Sequence, residues 1–119
     1  MEIVYLVYRE SGEFDSFDVQ VVKAFTAEAD AKEFVDLANK QVVELVKRTK
    51  GLLLDPKWNA PHIDAKIIHD PVRLHSYQEQ VMAVNKRWDD LRHSILSIDE
   101  DGDEDCTYGY SPLELHDSL

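Results

Sequence analysis

Apolar and polar positions along the chain fall into blocks with different periods. From Glu2 to Tyr8 nearly every residue is β-branched, aromatic or leucine, so both faces are apolar. This predicts a strand in the middle of a sheet, covered on both sides or carrying tyrosine on its second face. Arg9–Ser16 holds Ser11-Gly12 and three acids and reads as a turn. Over Phe17–Phe25, Val19, Val21 and Phe25 alternate with Asp18, Gln20 and Ala24, the period of a second strand. Residues 1–25 are thus expected to form an antiparallel hairpin.

The period then changes. Ala31, Phe34, Val35, Ala38, Val42, Leu45 and Val46 recur at three- and four-residue spacing, an amphipathic helix over 26–54. Thr26 is its expected N-cap and Glu28 suits the first turn. Lys47, Arg48 and Lys50 suit the last turns, Gly51 is the expected stop, and Leu52-Leu53-Leu54 extend the packing. A connector over 55–69 carries Pro56 and Pro61. Asp70-Pro71 reads as a cap followed by proline at the first helical position. In the helix it opens, over 70–96, Leu74, Tyr77, Val81, Val84, Trp88, Leu91 and Ile95 repeat at alternating spacings of three and four. That is a heptad seam, whose partner is either the first helix or a second copy of the chain. An acidic loop fills 97–105. Cys106–Leu115 alternates again, a third strand whose Pro112 confines it to an edge or a bulge. The expected fold is one α+β domain over 1–119, order β-β-α-α-β. A three-stranded antiparallel sheet has its first strand central and carries a long antiparallel helical hairpin.

Val4-Tyr5-Leu6-Val7-Tyr8, Ser11-Gly12-Glu13, Val21-Val22-Lys23-Ala24-Phe25-Thr26 and Pro112-Leu113-Glu114-Leu115 resemble a pattern of small uncharacterised proteins from bacteriophages and their bacterial hosts. These have a tyrosine-rich N-terminal hairpin, a capped Ala/Glu-rich helix and an acidic C-terminal strand. The resemblance covers the two ends and not 55–96. It implies a β-β-α frame closed by a C-terminal strand and a phage or mobile-element source. It implies no activity and no catalytic residues.

Composition narrows the function classes. Apolar residues make up 44% and charged residues 31% of 119 positions, an ordinary globular mix. The net charge of −11 opposes direct binding to nucleic acid, although Lys47, Arg48, Lys50, Lys86, Arg87 and Arg92 are candidates for a basic patch. No apolar run reaches the roughly 18 residues of a membrane span, and the first four residues lack the basic segment of a signal peptide. A cytoplasmic protein without membrane contact is expected. The single cysteine, Cys106, gives neither an internal disulfide nor a multi-cysteine metal motif. The charge is uneven: residues 97–119 carry eight acids and no base, and the middle of the chain is neutral. If the ends meet in the fold, they make one acidic pole. Six carboxylates in Asp99–Asp105 are expected to stay in water, since burying them costs desolvation and repulsion.

Chemistry candidates are few. Aligned as a calcium loop with Gly102 sixth, Asp99 and Asp101 fall correctly, but Ser97 stands first and Tyr108 last, so the bidentate ligand is missing. The histidines are His62, His69, His75, His93 and His116. His62, Asp64, His69 and Asp70 lie close in sequence without a zinc spacing, and His69-Asp70 resembles a metal-phosphohydrolase doublet. The alternative is that Asp70 caps a helix. Three acids precede Cys106 and blunt it as a nucleophile. Trp58, between two prolines, is either an exposed partner anchor or a residue folded back on the helices. Tyr5, Tyr8, Tyr77, Tyr108 and Tyr110 are candidates for one tyrosine patch.

The expectation is a non-enzymatic, acidic protein–protein interaction protein without cofactor or metal. Clustered carboxylates imitate DNA phosphates, which suits a phage-type accessory protein inhibiting a host nucleic-acid-processing or defence protein. The candidate contact residues are Asp99, Glu100, Asp101, Asp103, Glu104, Asp105, Trp58, Tyr108 and Tyr110. The partner is a protein with a basic, nucleic-acid-binding type of surface. The alternatives are self-association through the seam, as a homodimer, and a small metal-dependent hydrolase.

Overall fold

The computed structural model describes residues 2–12 and 18–115. Three strands form one antiparallel sheet: β1 (Glu2–Ser11), β2 (Asp18–Phe25) and β3 (Thr107–Leu115), in the order β2-β1-β3. β1 is central, as its apolar composition predicts. It runs three residues further than expected, so Arg9 and Ser11 belong to the sheet and not to a turn. The rest of the expected turn, Glu13–Ser16, and Phe17 at the expected start of β2 lie outside the described residues.

β1 and β2 pair Val7 with Lys23 and Tyr8 with Val21, leaving Val22 as an extra residue. This bulge reverses the phase of the alternation along β2. Phe25 therefore stays on the core face while Val19 and Val21 turn to the opposite one, correcting the expectation that the three share a face.

The helix α1 (Glu28–Leu52) lies on the core face of the sheet. Its buried residues, Ala31, Val35, Ala38, Val42 and Leu45, follow the expected stripe and pack with Val7, Leu96, Cys106 and Tyr108. Thr26 is not the cap: Ala27 holds that place without a side-chain bond, and Glu28 and Asp30 occupy the first turn. Gly51 is not a left-handed stop, since the helix continues to Leu52 and Leu53 remains helical. Asn39 fastens α1 to β3. Its amide nitrogen donates to the Tyr108 carbonyl (3.1 Å) and its oxygen accepts from the Tyr108 N–H (2.9 Å).

The connector contains a 3-10 turn (Pro56–Trp58) and a four-residue helix α2 (Ala65–Ile68). Asp55, Asp64 and Asp70 each accept a backbone N–H at the start of the element that follows. Asp70-Pro71 opens α3 (Pro71–Ile95) as expected. Two long helices are present, but a hairpin packed along the whole seam is not. The α1 stripe meets the sheet and Leu96, whereas α3 has no buried residue. All seven seam residues are half-buried. The connector runs beside one flank of α3 and leaves an open groove against it, lined on the α3 side by Gln80, Ala83, Val84 and Arg87.

The molecule is correspondingly long. It measures 68 × 32 × 23 Å with a radius of gyration of 20.2 Å, against about 13–14 Å for a compact chain of this length. It divides into a body, the sheet with α1 and the acidic loop, and an arm formed by residues 55–95.

Candidate interaction site

The two ends of the chain pair with each other through β1 and β3. Residues 55–95 carry six acids and six bases, so the net charge of −11 comes from the rest of the sequence, which carries 18 acids and seven bases.

Within the acidic loop the carboxylates differ. Asp99 is buried. The Arg9 guanidinium donates to its Oδ2 at 2.5 Å and the Tyr108 hydroxyl donates to the same oxygen at 2.6 Å. Arg9 also donates to Gln20 Oε1 (2.6 Å). This corrects the expectation of a wholly solvated loop: a carboxylate enters the interior when a cation and hydrogen bonds replace its water. It also removes Asp99 as a calcium ligand and Asp99 and Tyr108 as exposed contact residues. Burial, together with the bond to Asp99, pushes the Tyr108 hydroxyl far above the usual phenol range. Burial lowers the Arg9 pKa, but the bond and charge of Asp99 outweigh it and the net shift is upward.

Gly102 sits in this cluster because a Cβ there would lie 2.5 Å from the Tyr108 hydroxyl oxygen. Cys106 Sγ donates to the Asp103 carbonyl (3.1 Å), and burial pushes its thiol up. Of the remaining acids, Asp103 accepts the Asp105 N–H and Glu104 accepts the Thr49 hydroxyl. Glu100, Asp101, Asp103, Glu104 and Asp105 are exposed on this anchored loop.

The sheet is covered on one side. Tyr5, Val7 and Arg9 face α1, so Val4, Leu6 and Tyr8 point the other way. Opposite them across the ladders stand Val21 and Gly109 for Tyr8, Ala24 and Ser111 for Leu6, and Leu113 for Val4. The Tyr8 ring lies over Gly109, where a Cβ would meet it at 2.9–3.0 Å. Val21 is 63% and Leu113 45% exposed, and no helix packs on this face among the described residues. Glu2 and Glu10 stand at its two ends. The result is an apolar strip with one carboxylate at each end. The expected cover on both sides of β1 is absent.

Trp58 folds back. Its ring meets that of Trp88 edge-on at 4.9 Å, and its carbonyl accepts the Trp88 indole N–H (2.9 Å). The tyrosines do not form one patch. Tyr5 and Tyr110 pack edge-to-face at 6.4 Å on the core side, Tyr8 occupies the opposite face and Tyr77 lies on α3. Tyr110 donates to Glu28, which raises its pKa. Asp64 and Asp70 serve as helix caps, and among the described residues no three metal-ligating side chains cluster. His116 lies outside those residues. Of the basic-patch candidates, Arg48 pairs with Glu44, Arg92 with Asp89, and Arg87 donates to the Lys57 carbonyl.

Local periodicity misses Arg9, Asn39 and Gln41. Gln41 holds the chain after α3 by donating to Ser97 Oγ and accepting the Ile98 N–H. The one signal for Arg9 is its phase, two residues beyond Val7 on the same side of the strand.

Comparison with protein-family models, with curated proteins and with solved structures finds no match to this chain.

Proposed function

We propose that the chain is a non-enzymatic interaction protein that receives a basic protein partner on the open face of its sheet. The observation that carries this reading is the apolar strip of Val4, Leu6, Tyr8, Val21 and Leu113, left uncovered in a chain whose net charge comes entirely from outside residues 55–95. Interfaces of this kind have an apolar centre and a polar rim. Here Glu2 and Glu10 stand at the two ends of the strip, and the exposed acids of the loop add to the field that draws in a cationic surface. A protein with a nucleic-acid-binding surface meets that description. Occupying such a surface would inhibit it, and a cytoplasmic location belongs to the same proposal.

The test is a pull-down from bacterial lysate at low and high salt, read by mass spectrometry. It compares wild type, Val21→Asp, and a loop variant with Glu100→Gln, Asp101→Asn, Asp103→Asn and Asp105→Asn. Asp99 is kept because the fold uses it. The expected result is a basic partner lost with Val21→Asp and weakened by salt and by the loop variant. A partner retained by all three proteins, or none captured by wild type, refutes the reading.

A further inference from the structure

We propose that the cleft where the arm meets the body binds a free α-amino acid with an apolar side chain. The cleft shares no residue with the open sheet face, and the inference does not depend on the function proposed above.

The cleft measures about 310 Å³, at the low end of the range that holds small molecules, about 300–1,000 Å³. The body supplies Leu45 and Thr49 from α1 and Glu104 from the acidic loop. The arm supplies Trp58 and Asn59 from the connector and Trp88, Asp89 and Arg92 from α3. Bonds within the protein already set these walls. The Trp88 indole N–H donates to the Trp58 carbonyl (2.9 Å), and the two rings meet edge-on. The Asn59 amide nitrogen donates to the Leu53 and Asp55 carbonyls (2.8 and 2.7 Å). The Thr49 hydroxyl donates to Glu104 Oε1 (3.1 Å). A cleft held in this way needs little reordering to bind.

Charge selects the class of ligand. Arg92 is the one cation among the lining residues. Its Nη2 donates to Asp89 Oδ1 (3.2 Å), and its Nε is buried with no acceptor among the described residues. The side chain is 38% exposed, so the outer end of its donor fork is within reach of a carboxylate. Asp89 and Glu104 are exposed, and each has one oxygen engaged. Asn59 commits its amide nitrogen to the backbone, which leaves its side-chain oxygen to accept. These acceptors suit an ammonium. A simple anion would meet two carboxylates on a chain of net charge −11. A simple cation would meet the Arg92 guanidinium, which stays charged at all ordinary pH. A small molecule bearing both charges finds a complement for each. Its apolar part would rest on Leu45 and the two tryptophan rings, whose faces offer large contact areas.

Both tryptophans of the chain line this cleft, so intrinsic fluorescence reports on it directly. The test titrates the full chain with L-phenylalanine and L-leucine, and in parallel with phenylalaninamide, N-acetyl-L-phenylalanine and glycine. L-Phenylalanine or L-leucine is expected to give a saturable change. Removing the carboxylate, the ammonium or the side chain from the probe should each weaken binding about tenfold or more. Arg92→Met should abolish the preference for L-phenylalanine over its amide. Glu104→Gln should weaken L-phenylalanine and leave N-acetyl-L-phenylalanine unchanged, a selective effect that a folding defect would not produce. Val72→Glu, 79% exposed and outside the lining, should change nothing. No saturable response to either amino acid at millimolar concentration overturns the inference. So does an amide or an acetylated probe that binds as well as L-phenylalanine, or a preference for the carboxylate that survives Arg92→Met.

Discussion

α1 and α3 are both 25 residues long, and both carry an apolar repeat of threes and fours. Five residues of α1 are buried and none of α3 is. The difference lies in what each helix rests on. α1 lies across three strands, a surface broad enough to close over its stripe on both sides. α3 has a short turn, a four-residue helix and extended chain along one flank, a strip too narrow to cover a seam. A regular apolar repeat therefore states which face of a helix wants a neighbour, and the width of the neighbour decides how much of it leaves water. The body closes on itself and keeps its polar groups paired inside, while the arm leaves its apolar seam half in water.

The comparison breaks most sharply at Asp99. If the body depends on its buried pair, Asp99→Ala leaves Arg9 charged and unpaired and should cost about 3–5 kcal/mol, read as a lowered denaturation midpoint. Next comes a matched pair of truncations. Leu45→Ala, at 1% exposure, should cost about 2–5 kcal/mol. Val81→Ala on the half-buried seam should cost about 1 kcal/mol or less in the monomer. Equal losses at the two sites would erase the distinction between body and arm.

The smallest expected effect is alkaline. Burial raises the Cys106 thiol above its ordinary 9.0 and the Tyr108 hydroxyl above its ordinary 10.0, and Arg9 shifts upward as well. A group whose pKa is higher in the folded state stabilises fully below its unfolded value and loses that contribution as pH rises. Thermal melts should accordingly hold steady up to about pH 9 and fall above it. Tyr108→Phe should flatten part of that fall.

Much of this architecture was legible in the amino-acid sequence because local periodicity encodes it. The α1 stripe, the Asp70-Pro71 cap, the central place of β1 and the third strand all follow from spacing within a few residues. The candidate site was less legible because it depends on partners far apart in the chain. Arg9 and Asp99 are 90 residues apart, and nothing near either one marks it as half of a pair. The β2 bulge is similar. Val19 and Val21 alternate correctly for a strand, but one extra residue at Val22 decides which face they take, and pairing with β1 places it there. Trp58 shows the limit from the other side: two readings were available, and only the position of Trp88 separates them.

The attachment of Asn39 to Tyr108 bears on how the protein avoids fibrous aggregation. An outermost strand ordinarily offers a row of free amide and carbonyl groups on which another chain can template. Along the free margin of β3, Tyr108 has both groups engaged by one side chain of α1. Pro112, four residues on and in the same phase, brings no amide hydrogen at all. Growth by adding strands is thus obstructed at two points of that margin, which leaves a chain with an open sheet face free to meet partners face-on without being recruited edge-on into an endless sheet.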